Sequence, residues 1–314
     1  MLIVHRIRNR IRRFINQRHR YDYPVENNDW KKVGCSPVWG SCETGTMFDP
    51  YAYIEDNMIK LVISARKDGS IIIVESIDGI HWKNRHTILS GQTDQWDDVV
   101  NRGCVVKFKD KYLLWYTGQH NNKSAIGLAI SDDGIHYERY SKNPVLLATE
   151  IFEGQSIMNP CVIWNNGEHK FQMWYAAGEN YEPDVICYAE SFDGVHWQKR
   201  NKPVLTAYKK HPWEQHKVGG CDIQILDNGT YIMYYIGYQN VDVARICYAT
   251  SKDGIQWERP EDNLLISPSK GSWDADAIYK PTVIFYDKKL MMWYNGRNNC
   301  DEFIGLTIKK LNAM

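Results

Sequence analysis

From Trp30 onward the chain alternates short apolar runs with polar turns, and the order of the runs repeats. Most units open on a loop in which an aromatic residue precedes an acid: Trp96-Asp97, Phe152-Glu153, Trp213-Glu214 and Trp273-Asp274. A first strand begins at a Pro or Gly step, at Asp49-Pro50, Arg102-Gly103, Asn159-Pro160, Gly219-Gly220 and Lys280-Pro281. The second strand ends in an aromatic doublet and a glycine, as in Leu114-Trp115-Tyr116-Thr117-Gly118 and Met292-Trp293-Tyr294-Asn295-Gly296. A third, such as Ile186-Cys187-Tyr188-Ala189, runs into a Ser-x-Asp-Gly turn, and the aromatic after that turn starts a fourth. Four antiparallel strands per unit make a propeller blade.

The turns set the count. Ser131, Ser191 and Ser251 open copies sixty residues apart and Ser76 stands fifty-five before Ser131, a period in the range of propeller blades. The last unit has a third strand, Phe303 to Lys309, and then the chain stops, while Asp29-Trp30-Lys31-Lys32 reads like a fourth strand. The aromatics Trp30, Trp82, Tyr137, Trp197 and Trp257 therefore count five blades. The predicted fold is all-β: one five-bladed β-propeller over residues 25–314, closed by an N-terminal strand and preceded by a basic arm over residues 1–24.

Charge separates that arm from the body. The whole chain has a formal charge of zero, yet its first twenty residues hold seven arginines and no acid, so the remainder sums to about minus seven. Ile3, Ile7, Ile11, Phe14 and Ile15 fall at helical spacing among the arginines, which predicts a short basic amphipathic helix. It suits an anionic membrane surface at the cytoplasmic leaflet, or equally a docked or solvated arm. Nucleic acid is not expected as a partner, because the basic residues are confined to the arm.

Eight cysteines mostly follow the repeat, with Cys104, Cys161 and Cys221 at one equivalent position and Cys187 and Cys247 at another. Buried reduced thiols are expected rather than disulfides. No cluster has metal-ligand spacing and no cofactor motif is present. The leading apolar run, Leu2-Ile3-Val4, is too short for a signal-peptide core, so a cytoplasmic location is expected.

Repetition also divides architecture from chemistry. Asp and Gly suit a tight turn and Ser bonds its backbone, so the four Ser-x-Asp-Gly copies, with His81, His136, His196 and Gln256, are read as structural. Residues just before the first-strand Pro or Gly differ from blade to blade: Asp49, Arg102, Asn159, Gly219 and Lys280. Five blades point them at one central pocket, where an acid, two cations and an amide need partners or a ligand. Loops of the same face add Arg66, His120, Glu179, Tyr238, Gln239 and Arg297, with Asp98, His216 and Asp276 nearby. A solvated channel with internal ion pairs, Asp49 to Lys280 or Arg102, is the alternative.

The Phe48-Asp49-Pro50 step, the Trp-Tyr-x-Gly strands and the Ser-x-Asp-Gly-x-His-Trp turns resemble the five-bladed propeller glycoside hydrolases, including families 43, 32, 68 and 130, over residues 30–314. The resemblance implies a carbohydrate-active enzyme. Asp49 matches the general base of family 43 or the nucleophile of family 32. The third-blade Asp-Pro of those families falls on Asn159-Pro160, and the fourth-blade general acid falls near Val218-Gly219, where no carboxylate stands. The second-blade Asp-Pro-Arg of family 130 falls on Asn101-Arg102-Gly103. Glycosidic cleavage needs a proton donor as well as a base or nucleophile; Asp222, Glu179, Glu43 and His216 are the candidates. Arg102, Lys280 and Arg297 point to an anionic sugar or a phosphate. The leading expectation is a glycoside hydrolase acting on an oligosaccharide or envelope glycan. A glycosyltransferase or phosphorylase, and a non-catalytic glycan-binding propeller, are the alternatives.

Overall fold

The computed structural model describes residues 19–25, 29–179, 183–299 and 301–311. These form five antiparallel sheets, with 3-10 turns at Ile151–Glu153 and Pro212–Glu214 as the helical pieces among the described residues. Blade one runs Met47–Glu55, Met58–Ala65, Ser70–Ser76 and Lys83–Ser90. Blade two runs Val99–Phe108, Lys111–His120, Lys123–Ser131 and Glu138–Arg139. Blade three runs Ile157–Asn165, Lys170–Ala177, Val185–Ser191 and Gln198–Lys199. Blade four runs Lys217–Ile225, Tyr231–Asn240, Val243–Ser251 and Trp257–Glu258, and Leu264–Ile266 also pairs with its third strand. Blade five runs Ala277–Tyr286, Lys289–Asn298 and Asp301–Lys310, and its outer strand is Trp30–Lys32. First strands of neighbouring blades touch all the way round, blade five against blade one included, so they line a closed axis. The predicted helix lies in residues 1–18, outside the described residues, whereas residues 19–25 pack on the propeller.

The Ser-x-Asp-Gly turn locks one blade to the next. Each serine hydroxyl accepts the glycine N–H at 2.9 Å, and each aspartate caps the two N–H groups beyond. The glycine has positive φ, and its carbonyl accepts the indole N–H of the preceding blade: Trp115 to Gly194, Trp174 to Gly254 and Trp293 to Gly79, at 2.8–3.1 Å. A Cβ on Gly79 would lie 2.6 Å from Trp293, so glycine is required both by the backbone and by the tryptophan. His81, His136 and His196 are exposed and bond their own turn aspartates, which pulls the Asp78, Asp133 and Asp193 carboxyls below the usual range against some desolvation.

The aromatic–acid loops have a different structural use. The acid is buried and accepts the hydroxyl of the second-strand tyrosine: Tyr116 to Asp97, Tyr175 to Glu153, Tyr235 to Glu214 and Tyr294 to Asp274, at 2.6–3.2 Å. A cation from the same blade's fourth strand completes each set, namely Arg139, Lys199, Arg259 and Lys32. Lys32 thus does for blade five what Arg259 does for blade four. The seven cysteines among the described residues are free thiols, and burial pushes Cys104 and Cys221, which lie near the axis, upward.

Removing one member of such a set leaves a buried charge unpaired. Glu214→Ala strands the Arg259 guanidinium, the Tyr235 hydroxyl and the Asn263 amide. It should cost about 3–5 kcal/mol, read as a lower urea midpoint at unchanged slope. Exposed Glu179→Ala should leave the unfolding free energy within about 0.5 kcal/mol of wild type.

Candidate functional site

The site begins with an irregularity shared by all five first strands. Between Phe48 and Tyr51, Asn101 and Cys104, Met158 and Cys161, Gly219 and Cys221, and Tyr279 and Thr282 the pairing with the second strand slips by one residue. Each slip is a β-bulge, which breaks the ladder and re-aims a side chain. In four blades the bulged residue is left-handed although it is not glycine: Asp49 (φ 48°), Arg102 (φ 56°), Asn159 (φ 52°) and Lys280 (φ 31°). Such backbone costs of order 1–3 kcal/mol unless its surroundings fix it. For three of them the N–H released from the ladder is taken up by the preceding blade's second strand. Asn295 Oδ1 accepts from Asp49, Ser64 Oγ from Arg102 and Thr117 Oγ1 from Asn159, at 3.2, 2.8 and 3.1 Å.

These bulges open a cavity of about 220 Å3 on the axis, walled by Asp49, Arg102, Asn159, Arg66, Tyr238 and Arg297 together with Phe48, Tyr279, Asn295 and Glu302. Asp49 Oδ2 accepts Arg102 Nε at 2.8 Å and Asn159 Nδ2 at 2.9 Å. Its Oδ1 accepts no hydrogen bond among the described residues. Arg66 and Arg102 lie over the Phe48 ring, and Arg297 lies over Tyr279 while donating to the Asp242 carbonyl at 2.8 Å. Phe48, Arg66 and Arg102 are shared with a second groove of about 500 Å3 between blades one and two, which carries Asp98 and His120, 2.9 Å apart.

The second carboxylate of the pocket is Glu302, on the third strand of blade five. Its Oε2 accepts Asn295 Nδ2 at 2.5 Å, and its Oε1 lies 3.7 Å from Arg66. Asn295 therefore bridges the two acids, accepting from the backbone of Asp49 and donating to Glu302. Burial raises the Glu302 pKa; the Asp49 charge pushes the same way, while Arg66, Arg297 and Asn295 oppose it. Glu302 escapes a reading confined to bulges and strand-end loops. The signal was there: the equivalent positions of blades two, three and four are Ser124, Asp184 and Ala244, so this position varies between blades as the bulge position does.

Several expected site residues lie elsewhere. Lys280 is turned away from the cavity: its stem fills the space above the Gly219-Gly220 step, where a Cβ on Gly220 would meet Lys280 Cδ at 2.9 Å, and its Nζ donates to the Pro281 carbonyl. Asp222 is buried below the pocket, accepting the Val283 N–H at 3.0 Å and Gln224 Nε2 at 3.1 Å. Burial raises its pKa, with the Lys280 charge opposing. It holds blade four to blade five and is not placed as the proton donor. Glu179 is an exposed rim residue paired with Lys217, and Glu43 sits in an exposed loop. His216 bonds the Tyr238 carbonyl through its backbone and lies outside the cavity wall, and Gln239 bonds Arg245. Asp276 pairs with Arg20 and caps the Asn299 N–H at 2.7 Å.

Comparison with known proteins agrees with this architecture. Residues 72–218 match the glycosyl hydrolases family 32 N-terminal domain. An uncharacterized protein of Mycobacterium tuberculosis is 30% identical over 264 residues, 78% of this chain and 85% of its own. The 1,2-β-oligomannan phosphorylase of a Thermoanaerobacter species is 34% identical over 183 residues, 51% of this chain and 60% of that enzyme. A solved glycoside hydrolase superposes with a TM-score of 0.75 at 20% identity, covering 95% of this chain and 96% of that one. By fold and by these similarities the chain is a divergent relative of the five-bladed β-propeller glycoside hydrolases.

The raised Glu302 pKa has a measurable sign. Below the ordinary carboxylate range the group is protonated folded or unfolded, and glutamine in its place should change little. As pH climbs through the elevated folded value the native state has to bury a charge, and wild type loses stability. The melting temperature of Glu302→Gln should therefore gain on wild type as pH rises from 4 to 8, measured by calorimetry at matched ionic strength. A difference that stays flat would show that Glu302 titrates normally.

Proposed function

We propose that the protein cleaves a terminal glycosidic bond in the axial pocket, with Glu302 as general acid and Asp49 as base or nucleophile. The observation behind this is the pair of carboxylates that share one cavity and one bridging amide, Asn295, yet sit in different environments. Cleavage requires a protonated carboxyl group for the leaving oxygen and an ionised one that attacks the anomeric carbon or activates water. Half-buried Glu302, raised in pKa by desolvation, suits the first task. Asp49, with Arg102 and Asn159 on one oxygen and the other open, suits the second. Acid and base roles follow from environments that push two such groups apart.

The cavity, about 220 Å3, is below the usual range of about 300–1,000 Å3 for ligand pockets. It suits one terminal ring set against Phe48, Tyr238 and Tyr279, while the groove carrying His120 and Asp98 suits the next unit. Arg66 and Arg297 support a second reading, in which inorganic phosphate attacks the anomeric carbon in place of water, the terminal sugar leaves as its 1-phosphate and the shortened glycan takes the proton from Glu302. Similarity to an oligomannan phosphorylase makes 1,2-β-linked oligomannans the first substrates to assay. The arginines of residues 1–20 support peripheral binding to an anionic membrane surface, at the cytoplasmic face, where the substrate is an envelope glycan.

Oligomannans and aryl glycosides, each with and without phosphate, test the chemistry. Asp49→Asn and Glu302→Gln should each lower turnover about 100- to 10,000-fold. An aryl leaving group that needs no proton should restore most of the Glu302→Gln loss and little of the Asp49→Asn loss. Dependence on phosphate, weakened by Arg66→Ala, would assign phosphorolysis. Glycan binding without turnover, or full activity in both carboxylate variants, would refute the proposal.

A further inference from the structure

The loops that carry the chain from one blade to the next repeat as the blades do. Leu89, Leu146, Leu205 and Ile266 are buried and pair with the third strand of the blade they leave, at Ile71, Ile126, Ile186 and Ile246. The residue after each is Ser90, Leu147, Thr206 or Ser267, and its carbonyl accepts a hydrogen bond from the next blade's fourth-strand cation, Arg139, Lys199, Arg259 or Lys32. Three of the four are polar, and the fourth, Leu147, is an apolar side chain left 54% exposed. It walls a groove of about 320 Å3 between blades two and three, with Trp96, Pro144 and Ala148 on the apolar side and His120 and Gln155 among its polar residues. His120 also walls the groove of about 500 Å3 that holds Asp98, and that groove shares Phe48, Arg66 and Arg102 with the axial pocket. Three cavities therefore follow one another outward from Asp49.

The equivalent cleft of blade four is filled. Trp213, Gln239 and Ser267 stand there at the places of Trp96, His120 and Leu147, and the chain's own residues 19–25 are seated on them. The Tyr23 ring meets Trp213 edge-on with 5.7 Å between centroids, Ser267 Oγ donates to the Tyr23 carbonyl at 2.7 Å, and Gln239 Nε2 donates to the His19 carbonyl at 3.2 Å. A peptide is thus held there by one six-membered ring on the tryptophan and by two donors aimed at its backbone. Blade two keeps the tryptophan and lacks the donors. Leu147 has none, and His120 is engaged by Asp98 through Nδ1 at 2.9 Å and by Asn121 at Nε2 at 2.7 Å. Peptide carbonyls buried in that cleft would go unpaired. A pyranose ring fits instead: its C–H face lies on Trp96, Pro144 and Leu147 while its hydroxyls turn to water, Lys123 and Gln155, the mixed lining usual for small-ligand sites. We infer that this cleft is a distal subsite for the third unit of a glycan chain whose terminal unit enters the axial pocket. The inference rests on the cleavage reading proposed above and adds a chain-length requirement to it.

The test compares 1,2-β-linked mannobiose, mannotriose and mannotetraose as substrates of the full chain, with a thio-linked tetramer that resists cleavage as the binding probe. From dimer to trimer kcat/KM should rise about ten-fold, through KM, and the tetramer should add little more. Gln155→Trp, which fills the cleft from an exposed position, and Leu147→Ser, which restores the residue type of the other loops, should each bring the trimer-to-dimer ratio of kcat/KM back toward one. Hydrogen exchange with the thio-linked tetramer should slow at residues 121–125 and 144–155 in wild type and not in Gln155→Trp. No slowing at those residues would overturn the subsite whatever the turnover. Equal kcat/KM on dimer and trimer would also overturn it while leaving the axial reading in place. Slowing there without turnover of any oligomannan would retain the subsite and overturn the cleavage reading. Slowing by a peptide of residues 19–25, with none by the tetramer, would assign the cleft to a protein segment and overturn the proposal.

Discussion

The site depends on a local break in pairing that each blade makes at the same place. A regular inner strand would send alternate side chains into the neighbouring blades and leave the axis to backbone. The bulge turns one extra side chain inward, and the left-handed conformation of Asp49, Arg102 and Asn159 is what aims it. That conformation is unfavourable for residues with a Cβ, and it frees an N–H in a buried place. Asn295, Ser64 and Thr117 answer both problems, because each reaches across a blade boundary to the freed donor. Two of these three boundaries, five to one and two to three, are also sealed on the far face by indole bonds to the turn glycines. Pocket geometry and ring closure are therefore one problem: a blade that shifted would lose the acceptor for its neighbour's bulge.

Acids in this chain divide by what surrounds them. Asp97, Glu153, Glu214 and Asp274 are more deeply buried than either pocket acid, yet each is enclosed by a tyrosine and a cation. Glu153 and Glu214 have both oxygens bonded, while Asp97 and Asp274 each keep one oxygen without a partner among the described residues, buried away from the cavity, so that all four serve stability. Asp49 differs by standing on the cavity wall with one oxygen uncommitted. Glu302 differs because its cation, Arg66, is mostly exposed and 3.7 Å away, too far to compensate fully for burial. What marks the pocket pair is a shared place on the cavity wall, which depth of burial alone would not identify.

Much of the architecture was legible in the sequence because propeller blades repeat. The spacing of Ser76, Ser131, Ser191 and Ser251 and the fourth-strand aromatics gave the blade number, and Lys32 occupies the cation position that a fourth strand should supply. The axial residues were legible in sequence position and only partly in direction. Asp49, Arg102 and Asn159 meet as the repeat suggests, but Lys280 at the equivalent position turns away. The cause lies in another blade, whose Gly219-Gly220 step leaves a space that a lysine stem fills. Depth along the axis was likewise hidden: Asp222 is three residues past the strand step and ends beneath the pocket. Glu302 was missed because it stands on a third strand, which blade grammar assigns to packing.

The arm adds a constraint that a ring by itself lacks. A propeller is nearly symmetric about its axis, so a pocket at the centre can receive substrate from any direction across the open face. Seating residues 19–25 over blades four and five covers one side of that face, while the groove with His120 and Asp98 runs out between blades one and two on the other. Access to the two carboxylates is thereby polarised. A glycan whose terminal ring sits between Asp49 and Glu302 has its next units directed along the groove, away from Arg20 and Asp276. In the proposed mechanism Glu302, on blade five, then meets the glycosidic oxygen from the arm side, and the Asp49 carboxylate works beneath the ring. One docked segment thus fixes the direction of approach, which the five-fold repeat alone leaves undetermined.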